Sequence, residues 1–213
     1  MDRDDLPKEI TTERTVIRLA RPEDLAEIES WPAYGGLAEP FNMTGPQARS
    51  ADGRYWWQRF ELPDRAQYSI VARPPIGHYT GCKQPVPPAA GQIIGVIALT
   101  RIDWPRLAVG NMAMRVRADL CGRGYGTESL KALLDGAMAA GIRSARLDVA
   151  ATNGRAIRCY EKCGMRAIEE FWQEGLGPDD PADPQWAGIL HHFKRHEDGK
   201  KWLVRFLLME RTA

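Results

Sequence analysis

No charge of one sign dominates this chain. Its 213 residues carry 29 Lys and Arg against 28 Asp and Glu, a formal net charge of +1. Wholesale attraction to nucleic acid or to a membrane surface therefore finds no support in charge. Cysteine is scarce: Cys82, Cys121, Cys159 and Cys163 form no CxxC pair and have no His-rich ligand spacing, so no metal site is expected. No apolar run approaches the roughly 18–20 residues that span a bilayer, and the start, MDRDDLPKEITTER, has no signal-peptide core. Repeats and low-complexity tracts are lacking too. These absences predict a soluble cytoplasmic protein with reduced thiols. Apolar residues make up 44% of the chain, enough for the core of one domain spanning 1–213.

The pattern along the chain alternates strands with helices. TVIRLA (15–20) reads as a strand, followed by a short helix opened by Pro22, Glu23 and Asp24 and striped by Leu25, Ile28 and Trp31. Residues 32–53 read as loop and RYWWQRFEL (54–62) as a second helix. QYSIVAR (67–73) alternates like a strand, and the proline-rich stretch to Gly91 reads as an irregular insertion near 74–90. GQIIGVIALTRID (91–103) is the most apolar stretch and predicts a central strand, paired with LAVGNMAMRV (107–116). Leu130, Leu133, Leu134, Ala137 and Met138 fall on one helical face, predicting a helix from about 124 to 140 that Gly141 stops. RSARLDVAA (143–151), NGRAIRCYEKCG (153–164) and MRAIEEFW (165–172) read as strand, helix and strand. A second insertion near 174–198, with a short helix around 185–195, precedes a closing strand, WLVRFLLME (202–210). The expected fold is α/β (α+β), with a mixed central sheet of about six to seven strands and flanking helices.

Three glycines in CGRGYGTESL stand between a strand and the strongest helix. The first turn of a helix offers N–H groups and a positive dipole end, and glycine lets backbone approach an anion. A plain strand-to-helix turn is one reading. A dinucleotide site is another, with Asp148 as the ribose-binding acid. Against it, a GxGxxG starting at Gly122 finds no glycine at Tyr125 or Thr127, and one starting at Gly124 meets Ser129.

The third reading is a resemblance. Cys121-Gly122-Arg123-Gly124-Tyr125-Gly126 resembles the acyl-CoA pyrophosphate loop of the GNAT superfamily of N-acetyltransferases, Arg/Gln-x-x-Gly-x-Gly/Ala. One strand later, NGRAIRCYEKCGM (153–165) resembles that family's Asn-x-x-Ala-Ile-x-x-Tyr-x-x-x-Gly-Phe. ERTVIRLARPEDLAEI and GKKWLVRFLLMER extend the likeness outward, most closely toward the ribosomal-protein-alanine acetyltransferase branch.

The resemblance implies a single GNAT-like domain that moves acetyl from acetyl-CoA to a primary amine by direct attack in a ternary complex. Met114, Arg115 and Val116 would pair with the pantetheine arm. Residues Gly122, Arg123, Gly124, Tyr125, Gly126 and Thr127 would cradle the pyrophosphate, with Cys121 standing at the family's Arg/Gln position. Tyr160 would be the general acid toward the CoA sulfur. Asn153 serves as helix N-cap, as cofactor contact, or both. Many relatives carry a Glu in the strand before the loop, but here Asn111 holds that place and no carboxylate occurs from 104 to 118. The base stays unassigned among Asp148, Asp103, Glu29, His191 and His192. Glu128 reads as a first-turn acid that complements the helix dipole. Trp31, Tyr34, Tyr55, Trp56 and Trp57 fall where the family forms its acceptor pocket. Expected partners are a small-molecule amine, an aminoglycoside or a protein N-terminal amine, with a homodimer as assembly and no nucleic acid or membrane. An acyl-CoA-binding module without turnover is the rival from another class.

Overall fold

The computed structural model describes residues 1–32, 62–73, 87–175 and 177–213. The helix expected over 54–62, the loop at 32–53 and the insertion near 74–90 lie outside these residues wholly or in large part, as do Tyr34, Tyr55, Trp56 and Trp57.

Among the described residues nine strands form one sheet, two or more beyond the expected count. A hairpin opens it, β1 (Glu9–Thr11) against β2 (Thr15–Leu19), followed by helix α1 (Asp24–Glu29). Strands β3 (Ala66–Ala72), β4 (Ile93–Asp103) and β5 (Ala108–Val116) continue it antiparallel. Helix α2 (Tyr125–Ala139), strand β6 (Ser144–Ala150), helix α3 (Gly154–Lys162) and strand β7 (Arg166–Gly175) follow. Strands β8 (Phe193–Arg195) and β9 (Trp202–Thr212) end the chain. The sheet order is β1-β2-β3-β4-β5-β6-β9-β7, with β8 beside β9.

The short helix expected around 185–195 is corrected. That stretch holds two 3-10 turns, Pro184–Trp186 and Leu190–His192, and then β8. Its apolar residues are used otherwise: Trp186 and Phe193 pack edge to face at 5.7 Å over Val204, a small core of their own. The main core lies between the sheet and α2, where Leu130, Leu133, Leu134 and Ala137 meet Ile97, Leu99, Met112 and Leu147.

Among the described strands one junction is parallel, and it is short. Strands β5 and β6 pair only at Ala108↔Ser144 and Val109↔Ala145. Beyond Val109, β5 stays with β4 while β6 stays with β9, so the two strands splay into a wedge. The parting coincides with a backbone irregularity. Arg101 in β4 has φ 54°, and a Cβ on the facing Gly110 would lie 2.8 Å from the Arg101 carbonyl oxygen. Only glycine tolerates that approach, at the residue just after the last β5–β6 pair. One parallel junction in an otherwise antiparallel sheet is not a doubly wound sheet, which removes the dinucleotide reading.

Candidate active site

Parallel strands deliver their C-terminal ends to the same side of a sheet. The loop after β5 and the start of α3 after β6 therefore flank the wide end of the wedge. Within β5 the main-chain groups alternate in direction. The Arg117 N–H donates to the Ile94 carbonyl at 2.8 Å, so Arg115, Ala113 and Asn111 turn theirs toward β4, and Met112 and Met114 turn theirs into the wedge. Met114 thus stands where an extended amide-bearing arm can pair with the strand.

At the end of β5, Arg117 pairs with Asp119 at 2.6 Å across the single 3-10 turn Ala118–Leu120. Hydrogen bonding from Arg117 holds the Asp119 carboxyl below its ordinary range. The Cys121 thiol donates to the Val116 and Arg117 carbonyls, both at 3.6 Å, so its polar atom faces its own strand end. Gly122 and Gly124 then take φ of 79° and 87°, and Gly124 is the N-cap of α2 with no side-chain cap bond. The first-turn N–H groups of α2 have no intrahelical acceptor, and glycine supplies no oxygen to cap them. Gly126 packs the helix start onto β5: a Cβ there would lie 3.1 Å from Met114 Cε and 3.2 Å from Val116 Cγ2. Backbone donors at a dipole end, directly above the wedge, fit a pyrophosphate.

Glu128 does more than complement the helix dipole. It accepts hydrogen bonds from Thr12 Oγ1 at 2.6 Å, Arg14 N at 2.8 Å and Arg14 Nε at 2.6 Å. Arg14 Nη1 in turn donates to the Arg123 carbonyl at 3.0 Å, and its guanidinium lies 4.7 Å from the Tyr125 ring centroid. Beside this clamp, the Thr15 and Ser129 hydroxyls meet at 3.0 Å in a buried contact. The β1–β2 turn therefore fixes both the glycine loop and the first turn of α2. Burial pushes the Glu128 carboxyl up, but bonds from Thr12 and Arg14 outweigh it and hold the group below its ordinary value. Thr12, Arg14 and Thr15 were not legible as site residues, because their partners lie 114–116 residues away.

Across the wedge, Asn153 caps α3, its Oδ1 accepting from the Ala156 N–H at 3.1 Å. Tyr160 lies on the buried face of that helix, 7% exposed, in the main core with Ala156 and Ile157 packed beside it. On either side of it in sequence, Cys159 and Cys163 face the start of α2. Thr127 Oγ1 donates to Cys159 Sγ at 3.3 Å, and Cys163 Sγ donates to the Thr127 carbonyl at 3.5 Å. The neighbouring Cys163 thiol and the Thr127 hydroxyl hold the Cys159 thiol below its ordinary value, while Cys163 is pushed up.

The candidate bases are scattered. Asp148 is exposed on β6 opposite Leu208, and Asn111 opposes Thr100 on β5. Asp103 is held by the Arg106 N–H at 3.0 Å, and Glu29 is exposed at the end of α1. Of the two histidines, His191 is exposed and His192 half-buried. Their rings lie 3.8 Å apart, and the His192 Nδ1 accepts from Arg205 Nη2 at 2.8 Å. Burial, then His191 and Arg205, hold His192 below its ordinary value. With Nδ1 accepting, the ring proton sits on Nε2 and no lone pair is left for a base. Trp31 is buried against Ile28 and Ile93, and the Arg115 guanidinium lies 5.0 Å from its ring centroid. Among the described residues, no group of three His, Cys, Asp or Glu could hold a metal ion, and no helix is long and apolar enough to cross a membrane.

The sequence profile of the Acetyltransferase (GNAT) family matches residues 40–165, more than half of the chain, spanning the wedge, the glycine loop and α3. The chain belongs to the GNAT acetyltransferase family. It is an acyltransferase, and acetyl-CoA is its acyl donor. Solved structures agree with this acetyltransferase in fold. A chimera of the spermidine N-acetyltransferase of Vibrio cholerae with hSSAT is 15% identical, with a TM-score of 0.62 and coverage of 94% of this chain and 96% of that one. The Vibrio cholerae spermidine N-acetyltransferase in complex with CoA and spermine is 14% identical, with a TM-score of 0.55 and coverage of 94% and 96%. A GNAT-family acetyltransferase from Streptococcus pneumoniae is 18% identical, with a TM-score of 0.56 and coverage of 93% and 99%. No curated protein matches the acetyltransferase in sequence.

Proposed function

We propose that this acetyltransferase transfers acetyl from acetyl-CoA to a primary amine by direct attack within a ternary complex. The observation that carries the reading is the β5–β6 wedge, opened after two residue pairs and crowned by the uncapped first turn of α2. The donor supplies an acyl carbon activated by its thioester. The N–H groups of Gly122 to Thr127 hold the pyrophosphate, with Arg123 adding charge, and the β5 main chain from Met114 to Val116 holds the pantetheine arm. Tyr160 protonates the departing sulfur: a phenol with an ordinary value near 10 keeps its proton at neutral pH and can donate it. Asn153 caps α3, the helix that carries Tyr160.

The acceptor enters from the side of the sheet opposite α2, where Asn111, Ala113 and Arg115 share one face of β5 with Val96, Ala98 and Thr100 of β4. Acceptors of this kind are a protein N-terminal amine, as the ribosomal-protein-alanine acetyltransferase likeness suggests, a small amine, or an aminoglycoside. Spermine lies in a structural neighbour's complex, which supports the small-amine class. The homodimer expected from the sequence belongs to this reading.

The test is a thiol-release assay with acetyl-CoA over a panel of primary amines, paired with Tyr160→Phe. Turnover on at least one amine, with kcat lowered about a hundredfold in the variant and acetyl-CoA affinity retained, supports the proposal. CoA binding without turnover on any amine refutes the transfer reading.

A further inference from the structure

Of the strand residues that border the open wedge, 110–116 on β5 and 146–150 on β6, Asp148 is the only carboxylate. It stands three residues beyond Ala145 of the last ladder pair, as Met112 stands three beyond Val109. In the transfer reading above, the pantetheine arm runs down the wedge past Val116 and Met114, so its thioester ends near this height. Leu147 and Val149 are buried in the main core, and the exposed Asp148 between them lies on the other face, the acceptor side. Strand β9 divides in the same way: Leu207 and Met209 belong to the main core, and Phe206 and Leu208 to the acceptor side.

On that face the surroundings of Asp148 are apolar and aromatic. Leu208 pairs directly with it, and Ala150, the next residue of β6 on the same face, pairs with Phe206. Phe206 is thus a diagonal neighbour of Asp148, about 7–8 Å away and within reach of a ring. Phe206 pairs in turn with Phe171 of β7, the two rings stacked at 5.8 Å with 24° between their planes. Both are half-buried, although the other nine residues of β7 are exposed. Further along β9, Trp186 and Phe193 pack on Val204, so this shelf ends in a closed apolar wall. Arg146, beside Asp148 on the same strand and face, is held by Glu210 at 2.7 Å. Glu169 lies beyond Leu208 on the exposed edge strand, roughly 9–10 Å off at two strand spacings, where salt screens it.

We infer that the acceptor is a monocationic primary amine joined by a short linker to an aromatic ring, its ammonium drawn to Asp148 and its ring laid on Phe206 and Phe171. This rests on the transfer reading and narrows its acceptor. A polyamine or an aminoglycoside brings several ammonium groups to a face where the first meets Asp148 and the next meet Leu208, Phe206 or Arg146. Each of those would give up water for an apolar or like-charged neighbour. A peptide amine satisfies Asp148 equally well, but its backbone N–H and C=O groups would lie over phenylalanine rings without partners. One charge on a flat apolar body matches one carboxylate beside an aromatic shelf, the usual make-up of a small-molecule pocket.

The experiment measures kcat/KM with acetyl-CoA for phenethylamine, n-butylamine, spermidine, kanamycin and an alanine-led peptide. Phenethylamine is expected to lead the panel. Phe206→Leu keeps an apolar side chain but removes the flat ring, so KM for phenethylamine should rise about three- to tenfold and KM for n-butylamine less than about twofold. Phe171→Leu, on the edge strand, should act in the same direction and serves if Phe206→Leu does not fold; thermal melts check both. Asp148→Asn should raise KM for both monoamines by about tenfold or more. The wild-type ranking decides the acceptor class even if no variant folds. A lead by any other amine of the panel, equal KM changes for the two monoamines in the leucine variants, or an unchanged KM in Asp148→Asn overturns the inference and leaves acetyl transfer standing. CoA binding without turnover on any amine overturns both.

Discussion

Replacing Glu128 with alanine removes the one carboxylate that ties the β1–β2 turn to the glycine loop. Three hydrogen bonds go at once, from Thr12 Oγ1, Arg14 N and Arg14 Nε. Hydrogen bonds to charged groups contribute about 1.5–3 kcal/mol each when taken singly. Three at one carboxylate do not add, and the Arg14 and Glu128 side chains keep 31% and 19% exposure, so water screens part of the gain. A net loss of about 2–4 kcal/mol results, which for a chain of this size lowers Tm by roughly 4–16 °C. Glu128→Gln should lose about half as much. Its amide oxygen can still accept from Thr12 and Arg14 N, but its NH2 group then meets Arg14 Nε donor to donor.

The same substitution should weaken CoA binding without touching it. Arg14, once released, no longer holds the Arg123 carbonyl, so the loop loses its fixed presentation of N–H groups. About 1.4 kcal/mol of lost preorganisation is a tenfold rise in Kd. Acid should reproduce part of the stability effect. The folded carboxyl sits below its ordinary value, so its contribution is complete above the unfolded value of about 4.3 and is lost as pH falls through the lower folded value. Thermal melts of wild type and Glu128→Ala across neutral to acid pH, with calorimetric titration of CoA, are the assays. If the variant melts within about 1 °C of wild type at neutral pH and binds CoA equally, the clamp is not what orders the loop.

Gly110→Ala brings a Cβ to 2.8 Å from the Arg101 carbonyl oxygen, which should cost about 1–3 kcal/mol and raise the CoA Kd by distorting the strand where the wedge opens; melts and titration read both. Asp24 is buried at 4% exposure with Arg18 at 2.8 Å and Ser69 Oγ at 2.6 Å, so Asp24→Asn should lower stability at pH 7 by about 3 kcal/mol. Burial pushes the Asp24 carboxyl up, but bonds from Arg18 and Ser69 hold it below its ordinary value, so its contribution fades as pH falls through that lowered value. The two proteins should therefore converge in acid; a gap that stays constant with pH would count against the ion pair. Cys159, with its thiol held below its ordinary value and half-buried, should be alkylated by iodoacetamide faster at neutral pH than the buried Cys163, whose thiol is pushed up, as peptide mass mapping would show. Equal labelling of the two would mean that Cys163 and Thr127 do not stabilise the Cys159 thiolate.

How much of this was written in the sequence depends on whether the signal is local. Helix α2 runs over Tyr125–Ala139 against an expected 124 to 140, because its apolar stripe and the stop at Gly141 are properties of neighbouring residues. The same holds for α3 with its Asn153 cap. Strands of three residues carry no period, so β1 and β8 were invisible. A short helix was expected around 185–195, yet Phe193 pairs with Val204 of β9 in the sheet. Glu128 was read as a local dipole partner because nothing nearby in sequence shows Thr12 and Arg14 waiting opposite it. His192 stood as a candidate base for the same reason, its partner Arg205 lying in the last strand.

The wedge itself is the clearest case. Two ladder pairs, Ala108↔Ser144 and Val109↔Ala145, and then none cannot be seen in the residue pattern of either strand alone, because the parting belongs to the pair. What makes the strands part is a conflict between β4 and β5, where Arg101 takes a left-handed φ and Gly110 alone can face it. Gly110 lies in the sequence between Val109 and Asn111 and has none of the spacing that makes Gly122, Gly124 and Gly126 conspicuous. Yet its role comes first in physical order. The loop glycines can present N–H groups to a pyrophosphate only because β5 has already left β6 and opened a channel for the arm that follows. Two sets of glycine, one opening the strands and one baring the helix start, thus do two separable parts of the donor's binding, and only the second has a spacing that a sequence displays.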